Sequence, residues 1–577
     1  MIRKTITLIC MATLSIGAIA QDTVLNRNIT VEREFQPIVQ STGKINQRPM
    51  VIESLFQPVE FTYSDYTNPL SPAFNVTSLL SQPTRFSQPK VLHGLLRGAL
   101  GHVRTDFDFG YRVDDGKKSI LDITAHHNAY WGRKTLENST LTFDFQHQFS
   151  TCEIYFGLQG ANRFYTRYGR YFDCDSLSIG KYGDFEARDK QNIWMVDAKV
   201  GIRSNRKSEV QYLAEVDYGV FDLAKFAAEH KIKLLGNVEY VTNGHHIGGN
   251  LSYAAFMYGI DSTLLADSLY NSRHNIRIEP YYEYVGKRVL LHAGVNLDVN
   301  IGKGQLLSNN ENISFAPSPN VRFEAQLAPK WATLFVNATG QFGTGSLQGY
   351  MDQCRYLELL PGITSKHVSS YIPVDAELGF RFRAQKNLLI EVHGGYALMK
   401  NQCSLVAITD TSFQHLGQDV IQGDYNYFYS DYSRWKIGAA FSYHYQDIVN
   451  IHLWGDYYIW SIQDIDHRNH LAWVPLTEGR GYDRPDWELG LRVDARIDKH
   501  WSLFTDNHFG GSRWAITTKG DQQLKPTVDL NIGCQYEFNN SLAIYLTINN
   551  LMCRYNDIYY GYQTPGINGV AGVTWRF

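Results

Sequence analysis

From about residue 92 onward, hydrophobic and polar positions alternate along the chain with a period of two. In WELGLRVDARI, Trp487, Leu489, Leu491, Val493, Ala495 and Ile497 fall on one side, and Glu488, Gly490, Arg492, Asp494 and Arg496 on the other. VDAELGFRFR repeats the rule, with Val374, Ala376, Leu378, Phe380 and Phe382 opposite Asp375, Glu377, Gly379, Arg381 and Arg383. The closing stretch GVAGVTWRF sets Ala571, Val573, Trp575 and Phe577 against Val570, Gly572, Thr574 and Arg576. Such alternation predicts β-strands whose two faces meet different surroundings. Charge at every second or fourth position across so many strands does not fit a dry core. It fits a wet lumen on one side and lipid on the other.

The connections between the strands carry a second pattern. Short ones are predicted at 114–118, 149–152, 203–208, 242–246, 284–288, 327–330, 384–387, 446–448, 497–500 and 538–541. Between them lie longer ones at 165–189, 260–272, 303–318, 344–370, 400–430, 461–484 and 513–525, in strict alternation. A soluble sandwich would turn its charged face to bulk water, but has no reason to keep this asymmetry. An outer-membrane barrel does, with tight periplasmic turns and large outer loops. The expected fold is therefore all-β, a large antiparallel transmembrane β-barrel of 22 strands within a range of 18–22, running from near 92–99 to near 566–577. An even count places both termini in the periplasm. The expected location is the outer membrane of a Gram-negative (diderm) bacterium, with outer-membrane lipid as the immediate partner.

The first ninety residues follow other rules. Arg3 and Lys4 precede an apolar run from Thr5 to Ile19, and Ala18-Ile19-Ala20 offers a small-residue cleavage site before Gln21. Residues 1–20 thus read as a secretory signal peptide. Seven of the 17 prolines fall between 21 and 90, where few stretches alternate. Proline removes backbone donors and resists pairing, so 21–90 is expected to be an extended periplasmic leader, serving as a lumen insert or a partner-docking segment. The barrel then occupies 91–577. No later apolar run approaches the ~20 residues that a spanning helix needs.

Composition agrees with strands that are half lipid-facing. The chain has 37 Tyr, 30 Phe, 11 Trp and 47 Gly, yet only 44% of its residues are hydrophobic and its mean hydropathy is −0.30. A net charge of −3 and a pI near 6.7 leave no basic footprint for nucleic acid. A nucleotide-binding glycine loop, an H-E-x-x-H pair and a nucleophile elbow are all missing from the sequence, so neither an enzyme nor a cofactor is expected. The candidate lumen-lining residues are Asp375, Glu377, Arg381, Arg383, Glu488, Arg492, Asp494 and Arg496. Their mixed signs argue for mutual pairing over a simple cation or anion pore. DIDHRNH gathers Asp464, Asp466, His467 and His470, side chains able to ligate a divalent cation, although polar loops gather such residues by chance. Cys354 and Cys403 fall in successive long loops and are candidates for a disulfide.

The last 37 residues, SLAIYLTINNLMCRYNDIYYGYQTPGINGVAGVTWRF, resemble the final two strands of TonB-dependent receptors. The matching elements are Asn550-Leu551-Met552, the aromatic loop from Tyr559 to Gly566, and the terminal strand Gly572–Phe577. The resemblance implies that Val573, Trp575 and Phe577 form the signal read by the outer-membrane assembly machinery. It also implies a TonB-pairing segment near the mature N-terminus, for which TVLNRNITVERE offers Thr23, Val24, Leu25, Ile29 and Val31. In one respect the sequence departs from that family, because residues 21–90 are too few for a plug domain of the size such barrels carry. The leader, the long loops or a partner protein is then left to fill the lumen. Two functions follow: a transporter or channel for a polar solute, gated by one of these, or a barrel that docks other envelope proteins without transport.

Overall fold

The computed structural model describes residues 93–577 apart from 116–117, 132–133, 169–189, 206–208, 225–226, 261–271, 303–312, 329–330, 358–368, 408–413, 416–417, 420–424, 447, 466–479 and 518–519. The predicted signal peptide, the leader and the candidate TonB-pairing residues lie outside the described residues. No described helix is long and apolar enough to cross a membrane.

Twenty-two antiparallel strands form one sheet that closes on itself. The first strand, Gly94–Gly101, pairs with the last, Asn568–Arg576, in register from Leu95↔Arg576 to Gly101↔Val570. Closure removes every sheet edge, and a bilayer admits strands only on that condition. At the join, the Gly94 N–H donates to the Phe577 carbonyl at 2.7 Å and the Phe577 N–H returns to Gly94 at 3.0 Å.

Ten connections of two to five residues share one end of the barrel, at 115–118, 149–151, 205–209, 243–244, 286–288, 329–331, 386–387, 446–448, 497–500 and 538–541. Each falls where the pattern predicts it. Both ends of the barrel chain lie at this turn end, beside the Gly94–Phe577 pair. The opposite, loop end holds the long connections, but the alternation is not strict. Three of the eleven loop-end connections, 102–103, 131–135 and 224–226, are as short as the turns. A tight return suffices wherever nothing has to reach over the mouth.

The outer wall is apolar and the inner wall charged. Val573, Trp575 and Phe577 are exposed, as are Leu378, Phe380, Trp487 and Leu489, while Glu377, Glu391, Asp298 and Arg434 are buried. This inverts the usual distribution, as expected of a barrel whose outer solvent is lipid.

Three predicted loops contain more strand than expected. Strands Leu388–Ala407 and Tyr425–Tyr445 stay paired as far as Ala407↔Tyr425, so 400–407 and 425–430 belong to a tall hairpin. Strand Ile313–Ala328 begins early despite Pro317 and Pro319. Those prolines face only the preceding strand, at Leu297↔Pro317 and Val295↔Pro319, and pairing with the following strand starts at Asn320. A missing N–H on an unpaired edge costs little. The segment 513–525 is a hairpin of Arg513–Thr517 and Gly520–Leu524.

Candidate functional site

The longest connection of the loop end, 344–369, turns inward. Ser346 caps a seven-residue helix, Leu347–Gln353, its hydroxyl accepting the Gly349 N–H at 3.0 Å. Leu347, Tyr350 and Met351 recur at helical spacing and are all buried. We refer to 345–357 as the strap.

Wall residues hold the strap at both ends. The Glu229 carboxylate accepts the Leu347 N–H at 2.5 Å and the Gln348 N–H at 3.4 Å, a favourable place for an anion at a helix start. Arg273 donates to the Gly345 carbonyl at 3.2 Å. Arg163 pairs with Asp352, and Arg167 donates to the Leu357 carbonyl at 3.1 Å. From another part of the wall, Tyr429 donates to the Tyr350 hydroxyl at 2.7 Å, and Gln353 donates to the Cys403 carbonyl at 3.3 Å. Arg163 lies on the fifth strand and Cys403 on the fifteenth, ten apart on a ring of 22 and one short of diametrically opposite. A segment bound to both must cross the bore.

Other loop-end connections meet the strap over the bore. Tyr559, between the last two strands, donates to the Gln353 carbonyl at 2.9 Å. Tyr356 stacks on Tyr562 with ring centres 3.7 Å apart, and Tyr165, Tyr425, Tyr429 and Tyr559 pack buried around them. Asp483 accepts the Leu405 N–H at 3.2 Å, and its own N–H reaches the Trp514 carbonyl at 2.7 Å. Arg513 donates to the Ile558 carbonyl at 3.2 Å. Together these contacts build an aromatic cap inside a tube whose wall is otherwise polar. Burial of each large cap side chain contributes about 1.5–3 kcal/mol before conformational entropy is charged against it. Cys354 and Cys403 belong to this cluster as free thiols, and burial pushes the Cys354 thiol up.

Below the cap, the inner wall neutralises itself. Asp375 takes both oxygens to Arg434 at 3.0 Å, and Glu377 pairs with Lys436. Arg381 reaches Glu391 at 2.8 Å and Glu324 at 3.3 Å. Glu488 accepts from Tyr458 at 3.3 Å and lies 3.8 Å from His508. Arg492 pairs with Asp494 at 3.2 Å. Arg383 is exposed at the turn end and Arg496 half-buried there, neither with an ion pair among the described residues. His126 meets Asp108 and His127 meets Ser139, so these neighbours point to opposite faces. Asp466, His467 and His470 lie outside the described residues, and Asp464 sits in strand Val449–Ile465 with its side chain undescribed. Among the described residues, no group of three or more metal-ligating side chains occurs.

The strap escapes a reading by strand alternation. One signal was present in SLQGYMDQ: a Ser followed by apolar residues at helical spacing, inside a chain otherwise of period two.

No family model matches the chain, and no curated protein matches it by sequence. Solved structures do match by shape. The FrpB iron transporter from Neisseria meningitidis superposes with a TM-score of 0.63 at 9% identity, over 85% of this chain and 83% of that one. The ferric enterobactin receptor of Pseudomonas aeruginosa gives 0.58 at 11% identity, over 84% and 80%. A copper transporter, OprC, gives 0.58 at 12% identity, over 86% and 81%. Identities this low speak for the fold alone. By fold, then, this chain is a TonB-dependent-receptor-like 22-strand barrel of outer-membrane type.

Proposed function

We propose that this barrel is an outer-membrane transporter for a polar solute, with its own loop-end cap as the gate. The observation that carries the reading is the strap, bound to wall strands ten apart and sealed by tyrosines, inside a lumen lined by paired charges. A wide polar bore suits solute passage, and a bridge of hydrogen bonds and ring contacts is the kind of closure that a ligand or a partner can rearrange. The fold-level likeness to iron and copper transporters and to an enterobactin receptor supports transport in general, without naming a solute. In this reading the turn end faces the periplasm, so both termini lie there, and Thr23 to Val31 offers TonB or another periplasmic partner a segment for strand addition. Val573, Trp575 and Phe577 would serve the assembly machinery. No enzymatic step is assigned.

Liposome swelling tests this reading. Wild-type barrel should swell no faster than protein-free liposomes, and a variant with Arg163→Ala and Tyr429→Phe, which loses one strap contact on each side, should admit small sugars and amino acids at least several-fold faster. Swelling that stays at the protein-free level in both would discard transport and leave the docking barrel.

A further inference from the structure

Arg484 belongs to the connection that follows strand Val449–Ile465, at the loop end, and is only 3% exposed. Its guanidinium carbon lies 4.1 Å from the centre of the Tyr432 ring and 5.2 Å from that of Trp460. The Trp460 indole N–H donates to the Pro485 carbonyl at 3.1 Å, which fixes this stretch against the wall. Aromatic faces attract a cation, but they do not supply the hydrogen-bond acceptors that a guanidinium gives up on leaving water. Among the described residues no acceptor takes a bond from this guanidinium, and Nη1 is fully shielded with no partner.

The nearby carboxylates are engaged elsewhere. Asp483 faces the Leu405 amide and lies in the field of Arg513 as well as Arg484. Arg434, 6.0 Å from the same Trp460 ring, commits Nη2 to both oxygens of Asp375 and keeps a shielded Nε without a partner. Arg513 has Asp557 and Glu488 in its field besides Asp483, and Arg434 is bound to Asp375, whereas Asp483 is the one carboxylate in the field of Arg484. Among the described residues the Arg484 guanidinium is thus left without a bound carboxylate, in a buried aromatic setting.

We propose that Arg484, with Arg434 beside the same indole, forms an oxyanion-binding subsite at the loop-end mouth. It would take the carboxylate or phosphate group of a solute arriving from that side. A planar guanidinium offers parallel N–H donors that match two oxygens of such a group, and flanking rings hold the plane in place. The subsite stands whether the barrel transports or only binds, because it concerns equilibrium binding alone.

The test uses the full chain folded in detergent, titrated with inorganic phosphate and separately with citrate, and followed by calorimetry and tryptophan fluorescence. Wild type should bind at least one of the two saturably. Arg484→Gln should weaken that binding at least tenfold, and Arg484→Lys should restore it only in part. Asp483→Asn, which removes a competing carboxylate, should tighten it several-fold. Arg203→Gln, at the turn end and paired with Glu153, should bind as wild type does. Heat-dependent gel mobility reports whether each variant has folded. The proposal is overturned if wild type binds neither probe saturably, or if folded Arg484→Gln binds as wild type does. Should Arg484→Gln not fold, unchanged affinity in both Arg484→Lys and Asp483→Asn overturns it equally.

Discussion

A side chain at position 438 would collide with a bond between two other strands. A Cβ there would lie 1.9 Å from Asp456 Oδ1 and 2.5 Å from His393 Nε2. Those two atoms are 2.7 Å apart and join strands Leu388–Ala407 and Val449–Ile465 over the strand between them. Gly438→Ala should therefore break a buried charge-assisted bond and lower stability by about 1–3 kcal/mol. Gly98→Ala, which meets nothing within 4 Å, should be neutral. Urea titration followed by gel mobility checks both, and equal midpoints would remove the weight placed on the His393–Asp456 bond. Asp483 gives a pH dependence at the same scale. Burial raises its carboxyl from 3.8 to about 6. Between those values the native state holds a proton that the unfolded state has lost, so packing of 480–486 is strongest below pH 4. It weakens as pH rises through 6, by up to about 3 kcal/mol. A spin label at the exposed Gln523, on the hairpin that Asp483 touches, should become more mobile from pH 5 to 7.5, and Asp483→Asn should flatten that trend.

Among the elements, the strap is the one whose loss changes most. Its helix is too short to persist alone, so its stability is packing. Leu347→Ala and Met351→Ala should each cost about 2–5 kcal/mol of docking free energy. Hydrogen exchange should then quicken at 347–353 while the strand amides of the wall keep their protection. Uniform protection in the variants would mean that the apolar face does not hold the strap down.

The strands were legible because each carries its own record, a two-residue alternation that a wall apolar outside and polar inside imposes on every member. The turns were legible because each of the ten tight returns is a short polar break between two alternating stretches. The strap was not, since what makes it a bridge is contact with Arg163, Glu229 and Cys403, more than a hundred positions away in the first two cases. Pairing partners of lumen charges were hidden for the same reason. Asp375 and Arg434 are 59 positions apart, and the sequence showed only that both signs were present. Arg484 gave no sign at all, because a buried cation without an acceptor looks like any other loop arginine.

For the whole molecule, closure at the seam and closure of the bore are separate matters. The seam rests on Gly94 and Phe577: a Cβ at 94 would lie 2.4 Å from the Phe577 ring, which also stacks on Tyr111 at 6.2 Å. Gly94→Ala and deletion of Phe577 should both lower the fraction of folded, heat-modifiable barrel in membranes. If only the Phe577 deletion does so, the terminal aromatic acts through the assembly machinery rather than through the seam. The bore is the central matter, and planar-bilayer conductance addresses it most directly. The predicted result is a barrel that stays silent when residues 21–90 are removed, and that opens in large steps once 345–357 is removed as well. Large steps after the first deletion alone, or silence after both, would contradict a bore closed by the chain's own loops.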